Sequence, residues 1–227
     1  MQLILLMALF AQTAERLENW HELAMVSILP DLHHVQGIDV EGNTLWVSSV
    51  DAKAGKGFLS KIETPSGRLI AQVEVQQGKR IHPGGITLDG DSIWIPVAEY
   101  DRDGPSTIER RNKNTLALES SFEVNDHIGC VAAGKTFLMG GAWSSRTLYQ
   151  WTKSGQETLK VPNPITTSWQ DLKMDGNLLM GSGQITREQG AVEWVSIPDF
   201  KLVRRITTGA TDRRFSYAHE GMTYRNG

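Results

Sequence analysis

The segment His34–Val47, H-V-Q-G-I-D-V-E-G-N-T-L-W-V, recurs without a gap 48 positions later as His82–Ile95, H-P-G-G-I-T-L-D-G-D-S-I-W-I. The histidine, a glycine, an alternating apolar pair, a turn glycine and an apolar-Trp-apolar triplet all coincide. A unit this short cannot bury its apolar face alone, so the chain is restricted to architectures in which copies pack on one another. More distant copies follow at His127–Met139 (H-I-G-C-V-A-A-G-K-T-F-L-M) and Ser168–Met180 (S-W-Q-D-L-K-M-D-G-N-L-L-M). A fifth opens at His219 as H-E-G-M-T-Y-R-N-G.

Each copy has the same physical content. An alternating apolar stretch predicts a half-buried strand. The E-G, D-G or A-G-K corner supplies hairpin-turn chemistry, and the next apolar run is the partner strand. Two further strand-like runs separate successive copies, as in Phe58–Glu63 and Arg68–Val75. Four strands per repeat of roughly 42–50 residues predict a β-propeller. Five copies predict an all-β, five-bladed propeller over residues 22–227, with blades at 33–76, 81–125, 126–162, 167–208 and a last blade at 218–227. Residues 22–29, E-L-A-M-V-S-I-L, are expected to clasp that last blade as its outer strand. Its two middle strands are missing, so the sequence reads as C-terminally incomplete by roughly 20–25 residues, one strand pair of such a repeat, or else as closing its ring unusually.

The N-terminus, M-Q-L-I-L-L-M-A-L-F-A-Q-T-A, carries an apolar run of signal-peptide length that is too short to span a bilayer. Residues 1–14 are therefore expected to be removed on export to the periplasm or beyond, leaving no transmembrane segment. A formal net charge of -3 gives no electrostatic basis for a nucleic-acid partner. The single cysteine, Cys130, rules out an internal disulfide and reads as a small buried side chain. Trp46, Trp94, Trp151 and Trp194 fall inside strands and are expected in the packing between blades.

In a propeller, the start of each inner strand and the loop after the second strand share one end of the ring. His34, His82, His127 and His219, with Ser168 in the fourth copy, are expected to meet there. Facing them should be Glu99 and Tyr100, Trp143, Arg146 and Gln184, with Glu220 beside His219. Imidazoles around an axis suit one divalent metal ion, so His34, His82, His127 and His219 are candidate ligands. Without a metal, one histidine would act as general base beside Glu99 or Glu220, and Arg146 would hold an anionic group. A third reading makes the histidines structural, each satisfying a backbone carbonyl. One geometric objection stands against convergence. His34 and His82 lie three residues before the next glycine, whereas His127 and His219 lie two, which sends side chains to opposite faces of a regular strand.

Through H-P-G-G-I, I-W-I-P-V-A-E-Y, N-D-H-I-G and G-A-W-S-S-R, the chain resembles an uncharacterised family of exported bacterial propellers, a domain of unknown function. More distantly it is similar to lactonase, gluconolactonase and glutaminyl-cyclase-like propellers. The resemblance implies the fold and export, and no activity. The expectation is a small-molecule ligand at a histidine-bearing channel mouth, processed by a metal-assisted hydrolase or lactonase-like reaction. The competing reading is a non-catalytic scaffold that recognises a protein or glycan. Fold alone does not choose between them.

Overall fold

The computed structural model describes residues 15–16, 25–75 and 77–224. A two-residue strand β1 (Glu15–Arg16) precedes four sheets. Blade one runs β2 (His34–Glu41), β3 (Thr44–Asp51), β4 (Lys56–Glu63) and β5 (Arg68–Glu74) from axis to rim. Blade two has a divided inner strand, β6 (Arg80–Pro83) and β7 (Thr87–Asp89), both paired with β8 (Ser92–Glu99). Then come β9 (Ser106–Asn112) and β10 (Leu118–Val124). Blade three is β11 (Ile128–Ala133), β12 (Phe137–Ala142), β13 (Thr147–Thr152) and β14 (Glu157–Pro162). Blade four is β15 (Ser168–Asp175), β16 (Leu178–Gln184), β17 (Gly190–Ser196) and β18 (Leu202–Thr208). All pairings within the blades are antiparallel. No helix among the described residues is long and apolar enough to cross a membrane.

The fold is a β-propeller of four blades, which corrects the expected five. The fifth copy forms no blade: residues 217–224 contain no strand, and a single isolated bridge, Ala210 to Ser216, precedes them. The described part of the expected clasp, residues 25–29, forms no strand either. It lies on blade one, where the Leu29 N–H donates to the Gly67 carbonyl at 3.0 Å in the β4–β5 turn. The N-terminal pairing that does occur is β1, parallel to β18 at the rim of blade four. The physical reason is pairing. A lone inner strand with no hairpin partner leaves its backbone groups unpaired. Instead, residues 221–223 bond to side chains at the axis. The Met222 N–H donates to Asp171 Oδ2 at 2.9 Å and the Thr223 hydroxyl to Asp39 Oδ1 at 2.9 Å. The segment expected as a signal, 1–14, lies outside the described residues, as do 22–24 and 225–227.

The cores are sandwiched between neighbouring blades. Trp46, Leu59 and Val75 of blade one meet Ile86, Ile93 and Ile95 of blade two. Trp94 and Ile108 of blade two meet Ile128, Leu138 and Trp151 of blade three. Cys130, Met139 and Leu148 of blade three meet Trp169, Leu172 and Phe200 of blade four. The fourth face of the ring packs Met180, Trp194 and Ile206 against Met222 and Tyr224. The four strand tryptophans are thus buried between blades. Burial also pushes the Cys130 thiol up to about 12, so it is inert.

At the axis the blades meet backbone to backbone. The Gly85 N–H donates to the Gly129 carbonyl at 2.8 Å, and the Val131 N–H to the Gly85 carbonyl at 3.1 Å. A Cβ on Gly84 would stand 2.0 Å from the Gly129 oxygen, so this approach requires glycine. The inner strands of blades one, three and four each carry a one-residue bulge at the same height, with the register shifting between Val35 and Gly37, between Ile128 and Cys130, and between Trp169 and Asp171. In blade two the shift falls earlier, between Arg80 and His82. The bulge removes the geometric objection. Past it, Gly37 pairs with Ser48, Cys130 with Gly141 and Asp171 with Ser182. Cys130, not Gly129, is therefore the counterpart of Gly37. His127 precedes its counterpart by three residues, as His34 does.

Candidate functional site

The bulges of blades one, three and four each place one residue at the channel mouth, and a cavity of about 210 Å³ opens there. Its walls bring together His34, His82 and His127, the bulge residues Gln36, Gly129 and Gln170, the turn residues Trp143 and Ser144, and Glu220. His127 is fixed from three sides. Its Nδ1 lies 2.9 Å from the Asp101 carbonyl, its own carbonyl accepts from the Trp143 N–H at 2.9 Å, and its N–H donates to Asp126 Oδ1 at 2.8 Å. A carbonyl can only accept, so Nδ1 carries the proton and Nε2 keeps its lone pair. His82 packs edge-on to Tyr100 at 4.7 Å and tilted to His127 at 5.5 Å between ring centroids. Trp143 stands edge-on to His127 at 4.6 Å.

Trp143 owes its place to a 3-10 turn, Trp143–Ser145, in which Ser144 and Ser145 both hold positive φ, 55° and 50°. Two consecutive non-glycine residues in the left-handed region are strained. Arg146 secures them: its Nε donates to the Ser144 carbonyl at 3.0 Å and its Nη2 to the Thr167 carbonyl at 2.5 Å. The buried Ser145 hydroxyl donates to the Trp169 carbonyl at 3.0 Å. Arg146, expected to hold an anion, thus serves the wall behind Trp143 and does not line the cavity.

The remaining expected residues sit as follows. His219 stands behind Glu220, with Nε2 3.3 Å from Oε1, and stacks on Phe215 at 4.8 Å. His34 Nε2 lies 3.7 Å from the same carboxyl oxygen. Tyr100 touches the site through His82. Glu99 ends β8 opposite Arg80, and Gln184 ends β16 between Ser168 and Gly190; neither lines the cavity. Gln36, Gln170, Gly129 and Ser144 were not anticipated. The matching position of the two glutamines, H-V-Q-G and S-W-Q-D, was the available signal.

The electrostatics favour neutral groups. Burial, aided by the neighbouring His127 and His34, holds His82 down at about 4. Burial also lowers His127, partly opposed by its bond to Asp101. His219 is lowered by burial and by His34. Burial alone pushes the Glu220 carboxyl up to about 8. Among the described residues, no three His, Cys, Asp or Glu side chains are grouped to hold one metal ion. The four histidines expected to share a divalent ion thus form no assembled ligand set in this conformation. Deeper on the axis, Lys173 Nζ donates to Asp171 Oδ1 at 2.8 Å and to the Ile86 carbonyl at 2.7 Å, tying blade four to blade two.

The sequence model of DUF6454, a family of unknown function, matches residues 10–183. The chain belongs to the DUF6454 family. No curated protein matches it. Among solved structures, this DUF6454 chain is similar to Myxococcus xanthus glutaminyl cyclase, with a TM-score of 0.64 and 12% identity over 89% of this chain and 88% of that one. Streptogramin B lyase matches with a TM-score of 0.50 and 14% identity, over 78% of this chain and 55% of the lyase. The Neurospora crassa Pan2 WD40 domain matches at 0.54 and 11%, over 78% and 51%. At these identities the likeness concerns the fold.

Proposed function

We propose that this DUF6454 propeller is an acid–base enzyme that binds a small polar molecule at the channel mouth and acts on its carbonyl group, as a hydrolase would. The observation that carries the reading is a carboxyl group and an imidazole facing one cavity in complementary neutral states. Glu220, pushed up to about 8, is protonated at pH 7 and can donate to a carbonyl oxygen or a leaving group. His127 is neutral there and offers Nε2 as a base toward water or a substrate hydroxyl. Trp143 forms an apolar wall beside these groups, and Tyr100 backs His82. The glutaminyl cyclase and streptogramin B lyase neighbours carry enzyme names, which supports an enzyme on this fold. The N-terminal apolar run supports work in the periplasm or outside the cell.

The test is turnover of a panel of small esters, lactones and amides, with the pH dependence of kcat/KM. The rate should rise as His127 loses its proton, below pH 6.5, and fall near pH 8 as Glu220 ionises. Glu220→Gln should remove the falling limb and lower kcat/KM by roughly 10²–10⁴. Absence of turnover across the panel, or identical rates for Glu220→Gln, sinks the enzyme reading in favour of a recognition scaffold.

A further inference from the structure

The polar groups of this cavity restrict what it can hold. We infer that the ligand is a monocyclic, uncharged cyclic amide, a lactam or an imide, read on its N–H and C=O edge by Gln36 and Gln170. The inference rests on the reading of the mouth as a binding pocket.

The first argument is charge. No Lys, Arg or Asp lines the cavity. Its one carboxyl group is the protonated Glu220, and His82 is neutral. A charged ligand would leave water without a counter-charge to meet it, which is costly. The second is hydrogen bonding. Gln36 is 9% exposed, yet among the described residues neither its side-chain amide nor that of Gln170 takes a hydrogen-bond partner. A primary carboxamide offers a donor and an acceptor side by side. Its match is a group that presents an acceptor and a donor side by side, and a cyclic amide holds C=O and N–H cis in this way. The two glutamines occupy the bulges of blades one and four, neighbours across the closure of the ring, and both line this one cavity. His82 Nδ1, buried without a partner, is a further polar atom at this wall. The third is size. The cavity of about 210 Å³ lies below the range of pockets that take drug-sized ligands, which suits one five- or six-membered ring. Trp143, 36% exposed, supplies a face for it.

An ester ring of equal shape lacks the N–H and leaves a glutamine carbonyl unpaired. A site built to hydrogen-bond its ligand rejects such an analogue. Titration calorimetry of the whole protein with 2-piperidone, glutarimide and δ-valerolactone tests this. The lactam and the imide should bind at least about tenfold more tightly than the lactone. Gln36→Met and Gln170→Met, near-isosteric changes at the cavity wall, should each abolish the preference with an unchanged melting temperature. Gly129→Ala, whose added methyl meets nothing nearer than 3.8 Å, should weaken all three ligands by narrowing the cavity. If the lactone binds as tightly, or the preference survives both glutamine substitutions, the amide class is wrong while the pocket stands. If none of the three binds and the carbonyl panel is not turned over, both readings fall.

Discussion

His82 is the imidazole whose environment most sharply opposes its charged form among the described residues. Burial and two neighbouring imidazoles bring it from 6.5 to about 4. Between those values the unfolded chain binds a proton that the folded protein does not. Stability therefore rises with pH across this window: His82 contributes nothing unfavourable above about 6.5, and its penalty is complete below about 4. The cost is on the order of 3–4 kcal/mol at most. Denaturant unfolding at pH 7 and at pH 4.5 should show the wild type losing more stability on acidification than His82→Gln. Equal losses would place His82 in a solvated environment. The histidine pattern was legible in the sequence because a repeated strand start repeats its position. The neutrality of the cluster was not, since it arises from burial among residues as distant in the chain as His34 and His127. Glu220 was legible only as a neighbour of His219, and its raised proton affinity comes from the cavity.

At the level of the strand, the bulge decides what faces the mouth. A count from glycine to histidine gave contradictory faces, because Gly129 occupies the bulge while Gly37 lies beyond it. Sequence alone does not mark which residue a ladder skips, and Gln36 and Gln170 went unnoticed for that reason. The glycines near the axis consequently have unlike tasks. On Gly84 a Cβ would lie 2.0 Å from the Gly129 oxygen, and a backbone oxygen cannot move aside cheaply. Gly84→Ala should force blades two and three apart and cost roughly 1–3 kcal/mol, as overpacking does. Gly129→Ala should change stability by less than about 0.5 kcal/mol. Thermal melts of the pair check this, and equal losses would mean that the inner strands are not in backbone contact. The Trp143 turn gives a second case. Arg146→Ala removes the bonds that tie the carbonyl of left-handed Ser144 to that of Thr167, so KM should rise several-fold with a smaller change in kcat, the mark of a positioning residue. A loss confined to kcat would assign Arg146 to the chemistry instead.

Across the whole molecule, four copies build blades and the fifth does something else. Its likeness to the others was real at His219 and Gly221, and it misled because an inner strand is defined by its partner strand, not by its own sequence. Residues 219–223 instead bridge the two ends of the ring. Gly221 rests on blade one, where a Cβ would stand 2.7 Å from the Ile38 nitrogen. The Met222 N–H is bound by Asp171 of blade four and the Thr223 hydroxyl by Asp39 of blade one. Glu220 is the residue immediately before these anchors, so the carboxyl group of the mouth is positioned by the same contacts that close the ring. Closure and site are thereby coupled. Thr223→Val keeps shape and deletes one anchor. It should cost about 1 kcal/mol of stability, increase hydrogen exchange in β2 and β15, and lower kcat/KM by letting Glu220 drift. Gly221→Val clashes with backbone and should produce the same three effects more strongly. The decisive comparison is with Thr158→Val, which deletes a hydroxyl bonded within blade three, far from this bridge. If Thr223→Val and Thr158→Val alter exchange and kcat/KM alike, the ring is held by its blades alone, and Glu220 takes its position from something other than closure.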